Sequence, residues 1–535
     1  MLRPADYAMF SLGFCRRHGA LAVVLVWLLG CWAPLLGAEP ETVPGADDKW
    51  RRYESPHFEL FSHNNAEVSR RLLRNLELLR AAFFDLRHEK EKRSVEVTIY
   101  YFATMDEFRP YVSADFRKLD DLAGFYLSRP DRAVIVLPLR EDGKQAQQVI
   151  FHEYVHHLTE VSGRNPALWF REGIADVFST IEEEPDGLIV GKPIPARAFE
   201  YRAHPPMPLE ALFATDSTSP YYHENDRVGL FYGESWCLVH YLLYGDSGLP
   251  RDRIDRFLTY IEQEGEKGDP VKRRALFQET MGMDYPAMIK RLNKYLSHGR
   301  FSAGRYPLPK IAPSESYAVR AVPRDEIRGQ LTELDLRVNR SPAAKLALLN
   351  RLDKNPDDIR ALEILGTDAL IDGDEAAAQE HWEQAVRAGT RNPAILRAVV
   401  EMEDRAFFTD VDMLNFRLPE EKAQYLRMLL GRCIDAEPQQ TRAYEVLAWV
   451  EATAEQPMAS NVSLVQARYP ALAGKSRVML PLALIQLRLK DRAGALRLLD
   501  ELKALQPPPE ILQNAALILD YLKKQDVVAP EVGLP

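Results

Sequence analysis

The chain has 535 residues, which is too long for one hydrophobic core and predicts two or three domains. Apolar residues make up 46% and charged residues 27% of the sequence, proportions that exclude a disordered chain. The net charge of −10, without a long basic run, argues against nucleic acid as a partner and indicates no particular substrate.

The N-terminal segment is typical of one that directs export. Two arginines precede an apolar run over residues 20–36, and small residues follow it, which predicts a signal peptide at 1–38. A membrane anchor is the alternative, but the run is shorter than the ~20 residues that a spanning helix needs. Residues 28–31 also resemble a bacterial lipobox, so membrane attachment through a lipidated Cys31 is a further alternative. We therefore expect an exported protein, either periplasmic and associated with the cell envelope or secreted.

A small α/β lobe is predicted next, after a polar linker at residues 39–54. Alternating apolar and polar residues indicate a strand at 57–62. Segments rich in β-branched and aromatic residues indicate further strands at 94–102 and 133–137. Between the first two strands, the spacing of apolar residues predicts a helix at 64–86.

The helix predicted at residues 143–161 contains the motif H-E-x-x-H, with His152, Glu153 and His156 at its defined positions. Histidines four residues apart lie on one face of a helix and can bind one metal ion, while the adjacent glutamate can deprotonate a metal-bound water. His157 lies about 100° further around the helix and is predicted not to bind the metal. The alternative is a pair of hydrogen-bonded histidines in the core. That alternative does not explain why a glutamate would be buried beside them.

A second helix is predicted to supply the third metal ligand. Asn165 and Pro166 are typical of a helix start, and the helix that follows carries Glu172 and Asp176 one turn apart. Gly173 is small and would let this helix approach the metal-binding helix closely. We expect Glu172 to complete the ligand set.

The rest of the first large domain is predicted to be irregular and then helical. Residues 181–226 are rich in proline, which predicts a long loop that lines a substrate cleft or lies on the surface. A buried helix is predicted at 231–244, and two more helices follow. Further prolines then indicate a linker over residues 306–340.

Residues 341–525 are rich in Ala, Leu, Glu and Arg with helical periodicity. Two copies of a helix–turn–helix pattern have their turns at 373–374 and 490–491, and they resemble tetratricopeptide repeats. A plain helical bundle is the alternative. The resemblance implies a protein partner held by the repeats, and residues 526–535 form a tail.

The motif and the second helix together resemble the gluzincin metallopeptidases, in which H-E-x-x-H is followed on a later helix by a glutamate ligand. Residues 168–175, LWFREGIA, look like the W-L-x-E-G-x-A segment of aminopeptidase-N-like enzymes. The interval between His156 and Glu172 is shorter than in those enzymes, so that subfamily is not assigned. Over residues 55–305 the chain is most similar to the bacterial peptidase-MA-like domain family.

The resemblance implies an α+β fold, in which a small α/β lobe and a helical, zincin-like lobe are followed by the all-α repeat domain. It further implies that Zn²⁺ is bound by His152, His156 and Glu172 and that Glu153 is the general base. Asp176 would orient a histidine ligand, with a surface residue or helix cap as the alternative.

Tyr232 is the candidate that stabilises the oxyanion. It opens the segment YGESWCLVHYL, which resembles Y-x-K-G-x-x-x-L of the aminopeptidases, although Glu234 stands where that family has lysine. A core tyrosine is the alternative, and Tyr222 and His223 are the next candidates.

The sequence therefore predicts an exported zinc metallopeptidase that acts on a peptide or protein substrate. Two alternatives stay open. One is a catalytically inactive, peptidase-like scaffold that acts through its repeats. The other is a hydrolase of non-peptide amides that uses the same residues.

Overall fold

The computed structural model describes residues 43–114, 122–140, 143–223, 225–245, 249–265, 268–299, 301–408, 415–472 and 475–528. The predicted signal peptide, Cys31 and residues 529–535 lie outside these ranges. The described chain is mixed α/β, with a six-stranded sheet and with many helices in its C-terminal region. It forms two compact units, one made of residues up to 91 and 96–347, the other of 92–95 and the chain from 348 onward. No helix within the described ranges has the length and hydropathy needed to cross a membrane.

The first unit contains two sheets. Its strands are β1 (Arg51–Glu54), β2 (Phe58–Ser62), β3 (Val97–Phe102), β4 (Phe125–Ser128), β5 (Ala133–Pro138), β6 (Glu182–Glu184), β7 (Gly187–Val190), β8 (Gly304–Tyr306) and β9 (Ala318–Ala321). The larger sheet has the order β4-β5-β3-β2-β1-β9, and the smaller one β6-β7-β8. Strands β2, β3 and β5 are parallel, whereas β4, β1 and β9 pair antiparallel with their neighbours.

The described part of the first unit also contains helices. They are α1 (Ala66–Arg87), α2 (Met105–Phe108), α3 (Gly143–Val161), α4 (Leu168–Ser179), α5 (Pro195–Ala203), α6 (Leu209–Ala214), α7 (Pro220–His223), α8 (Asn225–Tyr244), α9 (Arg251–Glu264), α10 (Pro270–Met281), α11 (Tyr285–His298) and α12 (Arg324–Asn339). The predicted helix at 143–161 has the bounds of α3.

Different helices pack on the two faces of the larger sheet. Tyr100 and Phe102 of β3 belong to one buried cluster with Ile327 and Leu331 of α12. On β2, the ring of Phe58 lies 5.2 Å from that of Tyr154 on α3. Side chains alternate along a strand. Residues that point to one face of the sheet can therefore contact α12, and residues that point to the other face can contact α3.

Residues 306–340, predicted to be a linker, contain two elements of the first unit. Strand β9 pairs with β1 and extends the sheet, and α12 contributes to the core below it. Every residue of β9 is exposed, so its sequence, AVRA, lacks the apolar alternation that identifies a half-buried strand. The prolines before it were therefore the stronger signal. Similarly, the predicted linker at 39–54 contains β1.

Residues 181–226, predicted to be irregular, contain short elements instead of one long loop. Strands β6 and β7 and helices α5, α6 and α7 all lie within this stretch. Pro195 occupies the first turn of α5, and Pro208 is the N-cap of α6. Proline is well tolerated at these positions because the first amides of a helix have no intrahelical acceptor.

The second unit is helical in its described part. Its helices are α14 (Ile359–Ile371), α15 (Glu375–Ala388), α16 (Pro393–Phe408), α17 (Glu420–Ala436), α18 (Thr441–Thr453), α19 (Ala459–Arg468), α20 (Ser476–Arg488), α21 (Arg492–Ala504) and α22 (Pro509–Val528), while α13 (Pro342–Lys354) spans the division between the units. At Gly366 of α14, an added Cβ would lie 2.4 Å from the Trp382 ring of α15. A small residue therefore lets these two helices touch.

Candidate metal centre

Helix α3 holds His152 and His156 one turn apart at the edge of the core. Ile150, Val155 and Leu158 on the same helix are at most 1% exposed. Because these apolar side chains fix the rotation of α3, they also fix where both imidazoles point. The two histidine side chains keep 12% and 22% of their exposure, so the site can be reached from solvent.

Glu172 of α4 meets both imidazoles. Its Oε2 lies 3.2 Å from Nε2 of His152 and 3.3 Å from Nε2 of His156, and the two Nε2 atoms are 3.2 Å apart. The carboxylate is 2% exposed. These three residues are a set of potential metal ligands in the described part of the chain.

The three donor atoms form a nearly equilateral triangle, which is the arrangement that a small tetrahedral cation requires. Ligand atoms at about 2.0–2.1 Å from a tetrahedral ion lie about 3.3 Å apart, with the fourth position open. The observed edges of 3.2, 3.2 and 3.3 Å agree with that separation. Two imidazole nitrogens and one carboxylate oxygen are also donors that zinc accepts. The residues present therefore fit a divalent cation.

Asp176 sets the tautomer of His152. Its Oδ1 lies 2.9 Å from Nδ1 of that ring. A carboxylate accepts a hydrogen bond, so the imidazole proton belongs on Nδ1, and the lone pair of Nε2 is directed at Glu172 and His156. The alternative of a surface residue does not apply, because Asp176 is 3% exposed. The structure thus brings Asp176 to Nδ1 of His152, while its orienting role stays a prediction.

The electrostatics of the triangle favour a positive charge at its centre. Burial opposes charging of His152, yet Asp176 and Glu172 outweigh it and raise the pKa of the imidazole to about 10. Burial also disfavours ionised Glu172, but the two imidazoles hold the pKa of its carboxyl well below the usual range. The carboxylates and imidazoles thus stabilise each other's charged forms.

Gly173 allows α4 to approach α8 closely. A Cβ at this residue would lie 2.5 Å from the backbone oxygen of Ser235 and 2.5 Å from the side chain of Val239. Glu172, the neighbouring residue, is thereby held in the core. The sequence predicted close packing at Gly173, but with α3 as the partner. The closest neighbours are on α8.

Glu153 follows His152 on α3 and is partly exposed. Burial raises the pKa of its carboxyl, while the charges of the neighbouring imidazoles act in the opposite direction. A carboxyl group whose pKa moves toward neutrality can both accept and return a proton. Its carboxyl interacts electrostatically with His152, His156 and Glu172, the three residues of the triangle.

Both candidate tyrosines lie at the site. The ring of Tyr232 on α8 is 6.4 Å from that of His152, and the ring of Tyr222 stacks on Tyr232 at 6.2 Å. The hydroxyl of Tyr222 is 3.4 Å from Oε1 of Glu172. Burial raises the pKa of both phenols, so both remain hydrogen-bond donors at neutral pH. The side chain of His223 lies outside the described part.

One neighbour of the site was not predicted from the sequence. Arg197 of α5 donates from Nε to Oδ2 of Asp176 at 2.6 Å and from Nη2 to Oδ1 at 3.1 Å. It lies in the stretch interpreted as irregular, and no motif marks it. By contrast, His157 has its Nδ1 2.9 Å from the hydroxyl of Tyr126, away from the triangle, in agreement with the prediction that it is not a ligand.

Comparison with known proteins gives no independent assignment. No protein-family model matches the chain, and no curated protein is significantly similar to it.

Proposed function

We propose that this protein is a zinc metallopeptidase of the gluzincin type with a zincin-like catalytic unit, acting on peptide or protein substrates. The observation that supports this most strongly is the triangle of His152, His156 and Glu172. Its edges have the length expected for ligands of a tetrahedral ion. Glu153 lies beside the triangle, as a hydrolytic mechanism requires.

His152, His156 and Glu172 would hold the zinc ion, which supplies Lewis acidity that polarises a carbonyl and lowers the pKa of water. Glu153 accepts a proton from the attacking water as the oxygen–carbon bond forms. It then returns the proton to the amine nitrogen as the carbon–nitrogen bond breaks. Asp176 keeps the proton of His152 on Nδ1, so that the lone pair of Nε2 would be available to the ion.

Negative charge that develops on the carbonyl oxygen needs a hydrogen-bond donor. We propose Tyr232 for this role, because its ring lies beside His152 and its buried phenol stays protonated. Tyr222 stacks on Tyr232, and its hydroxyl is near Glu172. The second tyrosine thus supports the first and is itself within reach of the site.

The helical second unit is proposed to bind a protein partner through tetratricopeptide-like repeats. The close packing of Gly366 against Trp382 supports this assignment, because paired repeat helices need small residues at their contact. Export to the periplasm or cell envelope, or secretion, rests on the N-terminal sequence alone. We keep it as part of the proposal, together with lipidation of Cys31 as its variant.

The test is the substitution Glu153→Gln in the purified chain. We expect zinc to remain bound and hydrolysis of an unfolded, fluorescently labelled protein to fall at least about 100-fold, because a general base contributes that much or more. Zinc content is measured by elemental analysis after gel filtration. Glu160→Gln is the matched control, since Glu160 is exposed on the same helix.

An unchanged rate in the Glu153→Gln variant would remove this residue from the mechanism. Wild-type protein that holds stoichiometric zinc but cleaves neither unfolded proteins nor peptide mixtures would contradict the peptidase proposal. In that case a screen of small amides decides between a non-peptide hydrolase and an inactive scaffold. Wild-type protein without stoichiometric divalent metal would contradict both enzyme hypotheses and favour the inactive scaffold.

A further inference from the structure

Arg197 contacts two functional elements of the site without facing the three donor atoms. Its side chain is 11% exposed, and its guanidinium makes two hydrogen bonds to the carboxylate of Asp176, which in turn holds Nδ1 of His152. The same guanidinium carbon lies 4.7 Å from the ring centroid of Tyr232. One cation thus touches both the carboxylate that orients a ligand and the aromatic ring proposed as an oxyanion donor.

The backbone of Arg197 is fixed as firmly as its side chain. Helix α5 packs against α8 at Gly233, where an added Cβ would lie 2.8 Å from the carbonyl oxygen of Arg197 and 2.9 Å from the amide nitrogen of Tyr201. Gly233 follows Tyr232 directly. The contact that positions α5 against α8 therefore also fixes where Tyr232 lies relative to α5. The guanidinium and the phenol are therefore held in register.

We propose that Arg197 is a positioning residue that couples the orientation of His152 to the placement of Tyr232. This inference rests on the proposed metal site. It adds that α5, which contributes no ligand, determines the geometry of the site through one side chain. The role needs arginine. A guanidinium can bind both carboxylate oxygens and stack on an aromatic ring at once, whereas a lysine ammonium is a point charge.

Removal of Arg197 has two consequences. Among the described residues, Asp176 is then left as a buried carboxylate with only His152 as a hydrogen-bond partner, so it can rotate and lose its hold on Nδ1. Tyr232 loses the cation beneath its ring and the neighbour that fixes its tilt. Both effects leave His152, His156 and Glu172 chemically intact. The result is a displaced site that keeps all three ligands.

The test compares Arg197→Met and Arg197→Lys with wild type in the full chain. Zinc affinity is measured by competition with a chromogenic chelator, and geometry by the visible absorption of the Co²⁺-substituted protein. We expect a loss of zinc affinity of about 10–100-fold for the methionine variant, as for other partners of ligating histidines, and an altered cobalt spectrum. The lysine variant should recover part of the affinity.

Arg202→Met is the matched control. Arg202 lies on the same helix but donates to the backbone oxygen of Leu296, and its replacement should leave zinc affinity and the cobalt spectrum unchanged. The coupling itself is tested with Asp176→Asn. If Arg197 acts through Asp176, then adding Arg197→Met to Asp176→Asn should cause little further loss of zinc affinity.

Additive losses in the double variant, or wild-type affinity and spectrum in both Arg197 variants, would overturn the proposal. Circular dichroism of each variant separates misfolding from displacement of the site, and the lysine variant keeps the test valid if the methionine variant does not fold. The outcomes for Arg197 and for the enzyme are distinct. A wild type that binds zinc but hydrolyses nothing contradicts the peptidase proposal alone, whereas unaffected zinc binding in the variants contradicts the Arg197 proposal alone.

Discussion

Two regions of the first unit contain histidines on long helices, and their surroundings differ. His240 on α8 is fully buried, with Nδ1 2.8 Å from the hydroxyl of Tyr295 and Nε2 2.7 Å from the carbonyl oxygen of Gly191. Both nitrogens have a protein oxygen partner. On α3, by contrast, the Nε2 atoms of His152 and His156 lie 3.2 Å from each other. Two imidazole nitrogens at that distance can share a hydrogen bond when one of them carries the proton, or they can bind one cation together.

The difference shows what separates a structural histidine from a ligand. Burial lowers the pKa of His240 to about 4, so it stays neutral and joins three parts of the fold by hydrogen bonds. The carboxylates around His152 raise its pKa to about 10 instead. The same residue type on similarly buried helices thus has opposite electrostatic surroundings. The surroundings on α3, with carboxylates close to the imidazoles, are those that could hold a metal ion.

The largest expected effect comes from exchanging one residue in each region. Glu172→Gln removes the charge at one corner of the triangle and should reduce bound zinc below one-tenth of the wild-type content, because a neutral amide is a poor zinc ligand. His240→Gln should keep full zinc content, since its partners lie outside the triangle. Zinc content after gel filtration measures both. Loss of zinc from a folded His240 variant would show that the two regions are not independent.

Two buried acidic residues, Asp176 and Glu234, also differ in their electrostatic surroundings. Asp176 is ionised, because burial is outweighed by Arg197 and His152, which lower its pKa. Glu234 on α8 is also fully buried, but its Oε2 accepts only from the amide of Met207, at 2.8 Å, and burial raises its pKa to about 8. Between pH 4.5 and 8 the unfolded chain releases a proton here that the folded chain retains. Stability should therefore fall as pH rises through that window.

Glu234→Gln removes this titratable group, so the stability of the variant should fall less than that of wild type as the pH rises. One pKa unit corresponds to about 1.4 kcal/mol, so from pH 5 to pH 8 the variant should gain about 3 kcal/mol of unfolding free energy relative to wild type. Urea unfolding of both proteins at the two pH values measures the difference. An identical pH dependence in variant and wild type would mean that Glu234 is ionised in the fold.

The smallest of these effects is expected where the two regions meet. Gly173 on α4 packs closely against Val239, the neighbour of His240 on α8. Gly173→Ala should cost about 1–3 kcal/mol, because the added methyl meets a backbone oxygen that has no room to move. Gly143→Ala on α3, with nothing within 4 Å of its Cβ, is the control and should change stability by at most about 0.5 kcal/mol. Equal effects in thermal unfolding would contradict the close approach.

The ligand triangle could be predicted from the sequence because its information is local. His152 and His156 are related by one helical turn, and Glu172 follows on the next helix, so a motif and a periodicity were sufficient. The mixed α/β character was also predicted from the spacing of apolar residues. The assignment to a zincin-like fold and to tetratricopeptide repeats remains a prediction.

What the sequence did not reveal depends on long-range placement. Arg197 reaches Asp176 only because α5 packs on α8, and no residue near it in the chain indicates that contact. Strand β9 has no apolar alternation, each of its residues is exposed, and it pairs with β1 through the backbone. In residues 181–226 the prolines were taken as loop residues, whereas several of them begin helices.

The pairing of β9 with β1 has a consequence for how the protein is made. Arg51 is among the first described residues and pairs with Ser62 on one side, yet its partner on the other side is Ala321, so that edge of β1 stays open until most of the first unit has left the ribosome. Contacts between such distant residues form slowly, and open strand edges invite pairing with other chains. An exported chain would therefore depend on protection of β1 during transit. A fragment that stops at residue 305 would keep that edge permanently exposed.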